Sequence, residues 1–190
     1  MSYIDEINNY IPKNAQEAQD KKVIAECIKL LSDSVLSRND IAHITSSSLI
    51  LNQAADKMLM IHHNLRNEWS WTGGHADGNK NLLEVAIKEA IEETGIAVKP
   101  LSNEIASLDI FSVSSHTKRG VYVNSHLHLS VAYVLIADEN SATVVRPDEN
   151  SAVDWFPVST VDEGIFGSTD VYLYTKLLQQ ARLWLTSPQL

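Results

Sequence analysis

The sequence predicts a mixed α/β domain carrying an N-terminal helical extension. Three patterns point there: apolar runs of strand length, helical-period stretches placed before, between and after them, and the absence of internal repeats or low-complexity tracts. From the start of the chain, SYIDEINNYIPK reads as a short helix or turn that stops before Pro12, because the residue before a proline is pushed out of helical geometry. Over residues 14–32, Ala18, Val23, Ile24, Cys27, Ile28 and Leu31 recur at roughly helical spacing with polar residues between them. That stretch is an amphipathic helix with a face to pack, and residues 1–40 form the extension. Residues 41–190 form the main domain. Within it, TSSSLILN and KMLMIHH are strand-like runs separated by QAAD, the loop of a hairpin, and EWSWTGG is a further short strand ending at glycines. A helix follows over NLLEVAIKEAIEET. EIASLDIFSVSS, SHLHLSVAYVLIA and AVDWFPVS then read as strands, and STDVYLYTKLLQQARLWL as a closing helix. His126, His128 and Ser130 alternate with Leu127, Leu129 and Val131, the clearest half-buried strand in the chain.

Composition narrows the function. With 190 residues, 44% of them hydrophobic and 21% charged, the chain can bury a full core. A formal net charge of −9 excludes a general nucleic-acid binder, which needs a basic stripe to displace counterions from phosphates. An acidic protein that handles anionic substrates needs a local source of positive charge, and a metal ion is the obvious one. The single cysteine, Cys27, excludes an internal disulfide and a multi-cysteine zinc site, and its apolar neighbours make it a core thiol. No apolar run is long enough to span a bilayer, and MSYIDEINNYIPK lacks the layout of a secretory signal. The expected location is the cytoplasm, with no membrane partner.

The stretch GGHADGNKNLLEVAIKEAIEETGI carries the chemistry. Asn81 with Glu84 three residues on fits an N-cap, and Gly95 stands where a helix ends in a left-handed residue. Leu83, Ala86, Ile87 and Ala90 share an inward face. Glu89, Glu92 and Glu93, spaced i, i+3 and i+4, crowd onto an adjacent face. Such like charges repel unless a cation sits among them, and oxygen donors of this kind suit Mg2+ or Mn2+.

Read with its glycines, the segment resembles the Nudix box, whose pattern is G-x5-E-x7-R-E-U-x-E-E-x-G-U with U apolar. Counted from Gly74, the matches are Glu89, Ala90, Glu92, Glu93, Gly95 and Ile96, while Lys80 and Lys88 replace the box's early glutamate and its arginine. Thr72 stands where a proline often precedes the paired glycines. The resemblance implies an α/β/α sandwich around a mixed sheet, and hydrolysis of the diphosphate linkage of a nucleoside diphosphate derivative. It further implies Glu92 and Glu93 as metal ligands, Glu89 as ligand or as the base holding the attacking water, and the Gly74 carbonyl as an added ligand. Lys88 takes the place of an orienting guanidinium with only a point charge on a flexible stem. A base from a loop outside the box is also a family habit, and Glu149, beside Asp148 in RPDENSAVDWF, is the candidate. Gly73, Gly74 and His75 are expected to line the phosphate or metal site. Lys80, Glu84 and Lys88 lie one turn apart and are expected to form an exposed charge ladder.

His62, His63, His75, His126 and His128 match no compact zinc motif, and exposure is the expectation for His126 and His128. Trp69, Trp71 and Trp155 are expected to serve packing. Because two lysines depart from the box, a nucleotide-binding module without turnover stands as the alternative to an enzyme, while the lack of a suitably placed cysteine argues against a diphosphate isomerase. The N-terminal helix is expected either to lid the site or to support a homodimer.

Overall fold

The computed structural model describes residues 2–118, 120–162 and 164–186. Along the chain, α1 (Tyr3–Asn9) and α2 (Ala15–Leu31) precede the sheet. Then come β1 (Ala42–Asn52), β2 (Lys57–His63), β3 (Glu68–Ser70), β4 (Thr72–His75) and helix α3 (Leu82–Thr94). They are followed by β5 (Val98–Pro100), β6 (Ser107–Val113), β7 (His116–Lys118), β8 (Val121–Val123), β9 (His126–Ala137), β10 (Asn150–Pro157) and the closing helix α4 (Ser168–Thr186).

The two longest apolar runs meet at the centre. β1 lies parallel to β9 along its whole length, from Ala42 opposite Leu127 to Asn52 opposite Ala137. Around that pair the main sheet runs β10-β2-β1-β9-β5, with β3 added to β2, β4 to β1 and β6 to β9. The QAAD hairpin forms as the sequence indicates, β1 turning into antiparallel β2. EWSWTGG, however, makes two strands rather than one. β1 and β2 stay in register only near their hairpin, at Ile50 with Leu59 and Leu51 with Met58, so the returning chain pairs first with β2 and then, past Trp71, with β1.

Helices cover both faces, which makes a mixed α+β sandwich. On one side Ile24 and Ile28 of α2 and Leu82 and Ala86 of α3 pack with Ile44, Leu129, Val131 and Tyr133. On the other, Leu173, Tyr174 and Leu177 of α4 pack with Leu49, Leu51, Val134 and Ile136. The expectation of a half-buried β9 therefore needs correcting: from Leu129 onward every residue is buried, because a strand with neighbours on both edges and helices on both faces has no wet side. Only its first three residues, His126 to His128, keep partial exposure. Cys27 is partly buried against the α2 side of the core, and burial raises its thiol pKa. Trp69 and Trp71 pack beside the α4 core and Trp155 beside α3.

One buried ionic knot was not legible in the sequence. Lys176 Nζ on α4 lies 2.6 Å from Asp109 Oδ1 on β6 and 3.1 Å from Glu17 Oε1 on α2. Glu17 also accepts from the Tyr10 hydroxyl at 2.7 Å and the Lys13 N–H at 2.8 Å, so its carboxylate is satisfied on every side. The knot ties α2 and α4 together around β6. No helix among the described residues is long and apolar enough to cross a membrane.

Candidate active site

The helix that presents the three glutamates begins and ends on the residues that its sequence marks. The Asn81 side chain accepts from the Glu84 N–H at 3.2 Å, and Gly95, at φ +74°, donates its N–H to the Ile91 carbonyl at 2.8 Å. Of the expected inward face, Ala86 and Ala90 are fully buried and Leu83 and Ile87 partly so. Leu82 and Val85 are buried with them, because α3 is wedged against β1 and β4 and turns a broader face inward. The helix position fixes which glutamate goes where.

Each glutamate meets a different environment. Glu93 is 5% exposed, and its Oε2 accepts the Gly73 N–H at 3.0 Å. Burial pushes its pKa up to about 8; the Gly73 N–H and Arg146 work the other way, and the nearby charges of Glu89 and Glu149 add to the rise. Glu89 lies half-buried directly under Gly74, where a Cβ on that glycine would come within 2.6 Å of the Glu89 carboxyl carbon. Only glycine lets the carboxylate approach the strand so closely. Glu92 stands exposed, with Lys88 Nζ and Arg146 Nη1 each 3.2 Å from its Oε2. The Lys88 hydrogen bond, with help from Arg146, holds its pKa below the usual carboxylate range.

Glu149 does arrive at this cluster, carried by the turn that leads into β10. The turn clamps the end of α3: buried Asn150 donates from Nδ2 to the Glu93 carbonyl at 2.9 Å and accepts the Arg146 N–H at 3.1 Å. Glu149 Oε2 is buried without a hydrogen-bond partner, although Arg146 Nη1 stands 3.4 Å away as an ion pair of poor hydrogen-bond geometry. Arg146 is the residue that sequence reasoning missed. Its guanidinium spans Glu92, Asp148 and Glu149, and so returns to the site the fork that Lys88 cannot provide. The signal was in RPDENS, where an arginine precedes the very loop acids singled out, but nothing local says that the loop folds back onto α3.

The charge ladder expected for Lys80, Glu84 and Lys88 does not form. Lys80 Nζ reaches Asp33 at 2.8 Å, and Lys88 turns to Glu89 and Glu92 at 3.2 Å each. Tertiary carboxylates offered better partners than the helix itself. The expectation that His75 lines the phosphate or metal site needs correcting: it follows Gly74 in β4 and therefore points to the opposite face, where its ring lies 4.9 Å from that of His43 and 5.2 Å from that of His128.

A divalent cation fits the acidic cluster. A buried carboxyl whose pKa is raised partly by two neighbouring carboxylates, a buried Glu149 oxygen without a hydrogen bond, and a carboxylate seated against a glycine all describe negative charge gathered beyond what Lys88 and Arg146 neutralise.

Residues 42–175 match the model of the NUDIX domain. The chain belongs to the Nudix family, and it is a hydrolase of the Nudix type. It is 26% identical, over 141 residues, to a protein of Lactococcus lactis subsp. cremoris described as a probable DHNTP pyrophosphohydrolase, covering 70% of this chain and 80% of that one. Two solved structures share the fold. A NUDIX-family hydrolase from Clostridium perfringens aligns with a TM-score of 0.51 at 22% identity, covering 72% of this chain and 96% of that one. A MutT protein from Methanosarcina mazei Go1 aligns with a TM-score of 0.52 at 20% identity, covering 74% and 93%.

Proposed function

We propose that the chain hydrolyses the diphosphate linkage of a nucleoside diphosphate derivative, with Mg2+ or Mn2+ held by Glu89, Glu92, Glu93 and the Gly74 carbonyl. The observation that carries this reading is the meeting of Glu89, buried Glu93 and Glu149 beside two glycines, with the Glu93 pKa raised to about 8. Membership of the family and the pyrophosphohydrolase description of the Lactococcus relative support the reaction class. When bound, the cation would screen the phosphate charge and acidify a water molecule.

The chain's own residues do the rest. The Gly73 N–H fixes the Glu93 carboxyl. Gly73 and Gly74 bring bare backbone to the place where phosphate oxygens would lie, and Lys88 with Arg146 keeps Glu92 ionised. Glu149 offers an unbonded carboxylate oxygen and takes the proton of the attacking water. The water oxygen then bonds to phosphorus, and the bridging oxygen leaves with the bond's electron pair on the departing phosphate. Glu89 serves as ligand or as a second acceptor for that water. We read residues 1–40 as an extension that lids the site or supports a homodimer. We place the protein in the cytoplasm, acting on small molecules rather than on nucleic acid or membranes.

The test is a panel of nucleoside diphosphate derivatives, run beside DHNTP as a separate triphosphate substrate, with Mg2+ or Mn2+, product analysis, and Glu149→Gln in parallel. Turnover of at least one member, slowed about 10²–10⁴-fold by the substitution, is expected. Nucleotide binding without turnover of any member would replace the enzyme with a binding module.

A further inference from the structure

Four histidines gather on the sheet face opposite Glu89, and the hydrolysis needs none of them. β1 supplies His43, β4 supplies His75, and β9 supplies His126 and His128; parallel pairing sets His43 directly across from His128. The His43 and His128 ring centroids lie 4.9 Å apart, and His126 stacks on His43 at 4.8 Å. One ligand atom from each of His43, His75 and His128 lies within 4.8 Å of the others.

Backbone carbonyls fix the orientation of two of the rings, His43 and His126. His43 Nδ1 lies 2.9 Å from the Asn39 carbonyl, an acceptor, so Nδ1 carries the proton and Nε2 carries the lone pair. That Nε2 is buried and has no hydrogen-bond partner, in a residue only 4% exposed. A buried acceptor left in this state is unfavourable unless something pairs with it. His126 Nδ1 is likewise 2.9 Å from the Asn124 carbonyl, which turns its Nε2 toward His128 Nε2 at 3.3 Å. A ring nitrogen fixed by a backbone carbonyl, with its partner nitrogen aimed into a cluster, is the usual outer support of a metal-bound histidine. Burial holds His128 near a pKa of about 3 and lowers that of His43, so both rings are neutral and their lone pairs available at physiological pH.

We propose that His43, His75 and His128 form a second metal site, selective for a borderline divalent ion such as Zn2+, Co2+ or Ni2+, with its fourth position open beside His126. Nitrogen donors without any carboxylate disfavour Mg2+ and favour these ions. Three histidines with an open position leave room for water or an anionic group. The site is separate from the acidic cluster in chemistry and in the face it occupies, so it does not depend on the hydrolase reading. Sequence spacing hid it because the ligands come from three strands and His43 lies far from the other histidines along the chain.

Chelator-treated full-length protein titrated with Co2+ tests the proposal through the visible absorption of the bound ion, checked by metal analysis. One equivalent is expected to bind, to resist excess Mg2+, and to survive Glu92→Gln and Glu93→Gln. His43→Gln and His128→Gln, each confirmed folded by circular dichroism, should weaken binding by more than the roughly 10–100-fold expected for losing a supporting partner alone. If either variant unfolds, thermal melts of the wild type and His126→Gln with equimolar Zn2+ supply the answer: a rise in melting temperature that is smaller in His126→Gln supports the site, and an equal rise or none overturns it. Binding that is absent, that survives both ligand substitutions, or that Mg2+ displaces would overturn it, leaving an ordinary hydrogen-bonded histidine stack.

Discussion

Glu93→Gln isolates the strained charge at the heart of the acidic cluster. Glutamine keeps the volume and can still accept the Gly73 N–H through its amide oxygen, so the substitution removes charge while leaving the packing in place. In the metal-free protein the Glu93 pKa stands at about 8, against an ordinary value of 4.5. Between those two limits the folded state holds a proton that the unfolded state has released, so stability falls as pH rises through the interval. The slope approaches 1.4 kcal/mol per pH unit for one fully linked proton, which puts the total loss on the order of a few kcal/mol. For a chain of this length each kcal/mol moves the melting temperature by about 2–4 °C. Thermal melts of chelator-treated protein from about pH 5 to pH 8.5 should therefore show the wild type losing roughly 5–10 °C more than Glu93→Gln. The two proteins converge at the acid end, where the wild-type carboxyl is already protonated. Because every other titrating group is common to both, the difference belongs to Glu93. Parallel curves across the range would refute the buried, charge-crowded carboxyl and the metal argument built on it.

Further substitutions separate positioning from stability. Gly74→Ala should leave the melting temperature within about 3 °C of wild type yet cost about 10²-fold in turnover, because its Cβ displaces the movable Glu89 carboxylate. Gly73→Ala should instead destabilise by about 1–3 kcal/mol on chemical denaturation, since its Cβ would lie 2.7 Å from the Ser47 backbone. Arg146→Met should lower kcat about tenfold, with Arg146→Lys intermediate; steady-state kinetics unchanged from wild type would remove Arg146 from the site. Lys176→Met strands two buried carboxylates, Glu17 and Asp109, and should cost about 3–5 kcal/mol on urea denaturation with kcat little altered in the protein that remains folded.

Local signals carried much of this molecule. Asn81 and Gly95 delimit α3 because caps act within one turn, and the start of β9 showed its strand through the alternation of His126, His128 and Ser130 with leucines and valine, although burial on both faces erases that alternation from Leu129 onward. β5, β7 and β8 escaped because three residues are too few to show a period. What the sequence hid is non-local. Arg146 reaches Glu92 only because Asn150 staples a distant loop to α3, and Lys176 meets Glu17 only after α2 and α4 have docked around β6. The histidines repeat the lesson, since the register of β1 against β9, not spacing along the chain, sets His43 beside His128.

The carboxylates under the paired glycines run a hydrolysis that depends on a bound cation, as proposed above. The most direct measurement follows product release from whichever diphosphate substrate the panel identifies, comparing chelator-treated wild type, the same protein with Mg2+ restored, and Glu89→Gln with Mg2+. Full turnover is expected only in the second, with Glu89→Gln slower by about 10²-fold or more and the chelated protein inactive. Full activity in the chelated protein, or wild-type turnover by Glu89→Gln, would contradict it.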